Sequence, residues 1–185
     1  GPVTAIKESS SAWLYATMRR GGRALYAFDV SNPAAPSLKW KKGCPNNFPT
    51  SGAVDDTGCT TGFSGIGQTW SSPKALKSAG YGAGASNMLI MGGGYDTCED
   101  GDPNTCTAAS KGNKIYVIDA VNGNLVHTFT TERSVAADVT IDSTDAGLAT
   151  VAYTADTGKQ LLDLDMQSGI VSAPSTLRFH RVDLK

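Results

Sequence analysis

The sequence predicts an all-β chain: part of a β-propeller, with about three four-stranded antiparallel blades and long disulfide-stapled loops. Three observations carry this reading. Short runs rich in β-branched and aromatic residues, each ended by Asp and a turn, recur along the chain at Asp29, Asp119 and Asp165. The interval from Asp119 to Asp165 falls in the ~40–50-residue period of a four-stranded blade, and that from Asp29 to Asp119 is close to twice as long. No apolar pattern of helical period runs long enough for a substantial helix.

Taken in order, Gly1-Pro2 has no structural logic and reads as a protease-cleavage scar ahead of a single domain over 3–185. The first blade is expected over about 11–42. Trp13 to Thr17 forms a strand, Arg19-Arg20-Gly21-Gly22 a turn, and Arg23 to Val30 a second strand, with Leu38-Lys39-Trp40 as its partner after the Ser31-Asn32-Pro33 turn. The second blade is expected over 65–131, with strands over 68–76, 88–91, 114–119 and 124–130. Asn122-Gly123 between the last two suggests a type I′ hairpin, which needs positive φ at both central positions. The third blade, over 134–185, has strands over 135–141, 148–154 and 160–165, with Leu164, Asp165 and Gly169 in the places of Ile118, Asp119 and Gly123. The first and last blades read as incomplete. Propellers close with ~4–8 blades, so three make a piece of a larger ring or close in some other way.

Composition narrows the function classes. The 185 residues are 40% hydrophobic and 18% charged, with a net charge of −1. No basic cluster exceeds Met18-Arg19-Arg20, so nothing marks a nucleic-acid partner. No apolar run approaches the ~20 residues that cross a bilayer as a helix. The four cysteines form two local pairs, Cys44 with Cys59 and Cys98 with Cys106, each in a loop without histidine. Zinc sites favour tighter spacing or added histidine, so two disulfides of an exported protein are expected; reduced cytosolic cysteines are the plainer alternative.

Candidate sites are few. Asp29, Asp119 and Asp165 end equivalent strands, where an Asp side chain caps the following turn. Asp96, Glu99, Asp100, Asp102 and Asn104 crowd the second cysteine loop, and hard oxygens at alternate positions of 100–104 suit calcium, although a solvated acidic loop explains them more simply. Over 142–150, Asp142 and Asp145 are the only carboxylates where a calcium loop wants four ligand positions. His127 and His180 are the only histidines, and neither a Gly-x-Ser-x-Gly elbow nor a His-Glu-x-x-His motif occurs; an enzyme is not expected. Calcium is the one cofactor the acidic loops suit.

The run 21–30, Gly-Gly-Arg-Ala-Leu-Tyr-Ala-Phe-Asp-Val, followed by Pro33 and Leu38-Lys39-Trp40, resembles the PilY/PilC family of type IV pilus assembly and tip-associated adhesins. The segments 65–73, 91–96, 112–120, 137–140 and 152–158 continue that resemblance in the same order, over roughly 21–165. It implies a fragment of the family's quinoprotein-like C-terminal propeller on an exported protein of the periplasm, outer surface or pilus tip. It further implies a non-enzymatic role in pilus assembly, adhesion and twitching motility, with minor pilins and a host-cell or abiotic surface as partners. The family's calcium loop maps onto 142–150, where the ligand pattern is mostly lost. No Arg-Gly-Asp tripeptide is present. A quinone-dependent dehydrogenase fragment and a carbohydrate-binding propeller are the alternative readings.

Overall fold

The computed structural model describes residues 1–45, 55–101, 106, 110–166 and 177–181. Within these, consecutive strands pair antiparallel into three four-stranded sheets. The first contains β1 (Val3–Glu8), β2 (Ser11–Thr17), β3 (Ala24–Asp29) and β4 (Ser37–Gly43). The second contains β5 (Lys74–Leu76), β6 (Met88–Gly92), β7 (Lys114–Asp119) and β8 (Leu125–Thr130). In the third are β9 (Thr140–Ser143), β10 (Ala149–Ala155), β11 (Gln160–Asp165) and β12 (Leu177–Arg181). Each sheet is a meander in sequence order, the organisation of a propeller blade.

Alternation along the strands explains how the sheets stack. Strand side chains point to opposite faces with period two. In β7, Ile115 and Val117 face the third sheet, packing with Val135, Ala152, Leu162 and Leu164. Tyr116 and Ile118 face the first sheet, packing with Tyr15, Leu25, Ala27 and Trp40. β6 repeats the division, with Met88 and Ile90 on one side and Leu89 and Met91 on the other. The second sheet is therefore covered on both faces, and all four of Ile115, Tyr116, Val117 and Ile118 are fully buried. Burying such a side chain contributes roughly 1.5–3 kcal/mol, so this middle sheet anchors both cores.

Four sequence expectations change. The outer sheets are complete, because β1 pairs with β2 from Val3↔Ala16 to Glu8↔Ser11 and β12 pairs with β11. β1 was hidden by its mostly exposed residues and by the Ser9 turn, whose φ of 45° no Gly or Asn signals. The strand expected over 68–76 shrinks to Lys74–Leu76: Pro73 has no N–H for a ladder, and residues before it bridge to other loops instead. The strand expected over 135–141 begins only at Thr140, because the Val135 backbone bonds to Gly112 and Gly94.

Finally, no type I′ turn joins β7 to β8. Only Gly123 has a left-handed backbone, at φ 71°. The Asp119 carboxylate accepts from the N–H groups of Val121 and Asn122 at 2.8 and 3.0 Å, and the Asp119 carbonyl accepts from Gly123 N–H. A side chain that satisfies two loop donors stabilises a wider turn than Asn-Gly alone would make.

Candidate functional site

Four connecting segments collect at one end of the three sheets. The β2–β3 turn, the segment leading into β5, the β6–β7 connection and the segment leading into β9 all meet there. Glycines 92–94 make the meeting possible. Gly93 N–H donates to the Lys114 carbonyl, Gly94 N–H to Val135, and Gly67 N–H to Gly93. A Cβ on Gly94 (φ 104°) would lie 2.3 Å from the Gln68 carbonyl oxygen, so only glycine fits this close approach of backbones.

Both disulfides are at this end, Cys44–Cys59 after β4 and Cys98–Cys106 between β6 and β7. Arg23, with 2% of its surface exposed, holds the first loop, and the Asp56 carboxylate joins that loop to the second. Its guanidinium donates to the Asp56 carboxylate at 2.7 Å and to the carbonyls of Asp55, Ser64 and Ile66. Lys111, from the second loop, reaches the other Asp56 oxygen at 2.5 Å. Burial pushes the Asp56 carboxyl up, but the Lys111 and Arg23 hydrogen bonds and charges outweigh it and hold it below the usual range.

The second loop is tied down by its own acids. Asp96, 3% exposed, accepts from the N–H groups of Cys98, Ser110 and Lys111 and from the Ser110 hydroxyl, at 2.8 to 3.2 Å. Burial raises this carboxyl as well; the four donors win and leave it lowered. Glu99 pairs with Arg133 at 3.5 Å and accepts from the Thr157 hydroxyl at 2.8 Å, linking the loop to the third sheet. Asp100 accepts from Arg20 at 3.2 Å and from the Tyr95 hydroxyl at 3.1 Å.

Above Gln68 lies an open groove of about 270 Å³, lined by Arg20, Gln68, Trp70, Tyr95, Asp100 and Ala136. The Arg19 guanidinium sits 5.5 Å from the Trp70 ring centroid. Gln68 is 3% exposed; its Oε1 accepts from Trp70 Nε1 at 3.4 Å, and its Nε2 has no hydrogen-bond partner among the described residues.

Among the described residues, the calcium candidates lie at opposite ends of the sheets. Asp100 is in the groove wall, whereas Asp142 and Asp145 are at the opposite end, on the β9–β10 connection beside the Lys77↔Leu148 bridge. Asp142 Oδ1 accepts from Ser143 N–H at 3.0 Å and Oδ2 from the Thr150 hydroxyl at 3.3 Å. Asp102 and Asn104 lie outside the described residues. Cys44, Asp56 and Cys59 are close together, but both sulfurs are spent in the disulfide, which removes them as thiolate ligands.

Of the turn aspartates, Asp29 accepts from Ser31 N–H at 2.9 Å and Asp119 caps as described, while Asp165 ends β11 opposite Val151. His127 sits half-buried in β8 with its ring edge-on to Phe129, 4.7 Å between centroids; burial lowers its pKa. No helix among the described residues is long and apolar enough to cross a membrane.

Sequence reasoning placed Trp70 in a strand and Arg19-Arg20 in a turn, and it missed their convergence with Gln68 and Tyr95. The motif stretches containing these residues were visible; the long-range bridges Arg19↔Thr69 and Gln68↔Tyr95 that bring them together were not.

This arrangement of meander sheets and looped end has a counterpart among solved structures. The C-terminal domain of Pseudomonas aeruginosa PilY1 superposes with a TM-score of 0.60 over 89% of this chain, at 17% sequence identity. The fold is that of part of the PilY1 C-terminal domain. The chain spans 29% of the length of that PilY1 structure. No protein-family model matches the chain, and no curated protein sequence matches it.

Proposed function

We propose that this chain is a non-enzymatic module of an exported type IV pilus biogenesis or tip-adhesin protein. It supports pilus assembly, surface adhesion and twitching motility through contacts made by its looped end, with minor pilins and a host-cell or abiotic surface as partners. The observation that carries the reading is the likeness in fold to the PilY1 C-terminal domain. Two disulfides at one end support it, because such bonds persist in oxidising compartments outside the cytosol. The loop architecture fits a recognition role: loops held by a rigid β scaffold are where binding residues concentrate. Here the scaffold holds them through the Arg23–Asp56–Lys111 pairs and the Asp96 cap. Deleting the gene and counting surface pili, with twitching and adhesion assays alongside, tests the proposal. Loss of pili or adhesion that is restored by the intact gene supports it; unchanged piliation, motility and adhesion would refute it.

A further inference from the structure

We infer that the groove between Trp70, Tyr95 and the Arg20–Asp100 pair is a binding site for a neutral sugar ring. A sugar has a C–H face that packs on aromatic rings and a rim of hydroxyls, each both donor and acceptor. The groove offers both kinds of partner within one opening. Trp70 and Tyr95 supply aromatic surface, with the indole held by the Arg19 guanidinium and by its hydrogen bond to Gln68. Arg20 supplies donors and Asp100 acceptors, and their opposite charges balance at 3.2 Å, so the opening matches an uncharged ligand.

The second pointer is the Gln68 amide. It is 3% exposed, is one of the residues lining the groove, and has a buried Nε2 with two N–H donors and no partner among the described residues. A buried polar group without a hydrogen bond costs free energy, and a small shift of the amide towards a ligand hydroxyl in the groove would recover it. The volume, about 270 Å³, is at the small end of ligand clefts, which fits one ring or two and not a long oligosaccharide. Recognition of so small a ligand in an open groove is expected with a Kd on the order of 1 mM. The inference deepens the adhesive part of the proposed function and rests on that reading for its biological meaning.

Saturation-transfer NMR on the full chain, with free galactose, glucose, mannose and N-acetylglucosamine as the probes, tests it. At least one sugar is expected to bind the wild-type chain, and Trp70→Ala and Asp100→Ala each to weaken it at least about tenfold, roughly 1.4 kcal/mol. Asp100 is a surface position, so that variant remains informative where loss of the indole perturbs folding. Absence of binding by all four sugars, or equal binding by wild type and Asp100→Ala, overturns the inference. A chain that binds no sugar but whose deletion abolishes pili loses only this site; one that binds sugar but whose deletion leaves pili, motility and adhesion intact loses the pilus reading.

Discussion

The Tyr15 hydroxyl of the first sheet donates to the Ala120 carbonyl of the second at 2.9 Å, and the Trp40 indole N–H reaches the same oxygen at 3.3 Å. Two aromatic side chains from one sheet thus close on the turn that ends the middle strand of the next. Tyr15 is fully buried, and burial, followed by the nearby Asp119 and Glu8 charges, raises its pKa well above the ordinary tyrosine value, so it remains a donor at physiological pH. Tyr15→Phe keeps the ring and leaves Trp40 bonded to Ala120. The expected cost is about 1 kcal/mol, a fall in Tm of about 2–4 °C by thermal denaturation. No change would mean the sheets are held by packing alone.

Stability should fall on acidification. Asp56 and Asp96 both have carboxyls lowered in the folded state, by the donors that overcome their burial. A group whose folded pKa lies below its unfolded value stabilises fully above the unfolded value, about 4 for Asp, and loses that contribution as pH falls towards the folded value. Tm measured from neutral pH downward should therefore hold until about pH 4 and then decline. Asp96→Asn, which removes the charge that three backbone N–H groups and a hydroxyl share, should cost about 2 kcal/mol and flatten the acid limb of that curve. A curve of unchanged shape in Asp96→Asn would remove this carboxylate from the account.

Reducing the disulfides tests how the looped end is held. The cysteine pairs are separated by 15 and 8 residues, and loops of these lengths are stabilised by about 3 and 2.5 kcal/mol in the chain-entropy picture. Cys44→Ser with Cys59→Ser should lower Tm by about 6–12 °C. The Cys44–Cys59 pair encloses Asp56, so its loss should also release Arg23 and Lys111. Retention of the full Tm on removing this pair would show that the Asp56 loop is held without it.

Calcium should have little to act on. Asp142 has both carboxylate oxygens engaged by Ser143 and Thr150, and Asp100 is paired with Arg20 and Tyr95. Positions 144 and 146 are Thr and Ala, which offer no carboxylate. Exchange between EDTA and roughly millimolar calcium should shift Tm by less than about 1 °C. A shift of several degrees would return metal binding to one of these loops.

Residues show why part of the structure was legible in the sequence and part was not. The Leu-Tyr-Ala-Phe-Asp and Ile-Tyr-Val-Ile-Asp runs announce β3 and β7, because strand propensity and a capping Asp act over a few residues. β11, Gln160–Asp165, matches its expected bounds for the same reason. β1 and β12 lack such punctuation, and their pairing depends on the neighbouring strand that receives them. The groove was hidden more deeply. Arg20, Gln68, Tyr95 and Ala136 come from four connections, and the bridges Arg19↔Thr69 and Gln68↔Tyr95, with the backbone meeting at 92–94, draw those together. The acidic loop shows the same limit: spacing suggested calcium ligands at 100, 102 and 104, of which only Asp100 is among the described residues, and it did not show the partners that Asp96, Glu99 and Asp100 have inside the protein. The pairing of Glu99 and Asp100 depends partly on Arg20, Arg133 and Thr157, all distant in sequence.

Complementation separates assembly from adhesion at the looped end, the proposed contact surface of a pilus-associated module. A deletion strain should receive either the intact gene or one carrying Trp70→Ala with Asp100→Ala, with surface pili and adhesion scored together. Both genes should restore pili, while only the intact gene should restore adhesion. Full adhesion with the double variant would contradict that assignment.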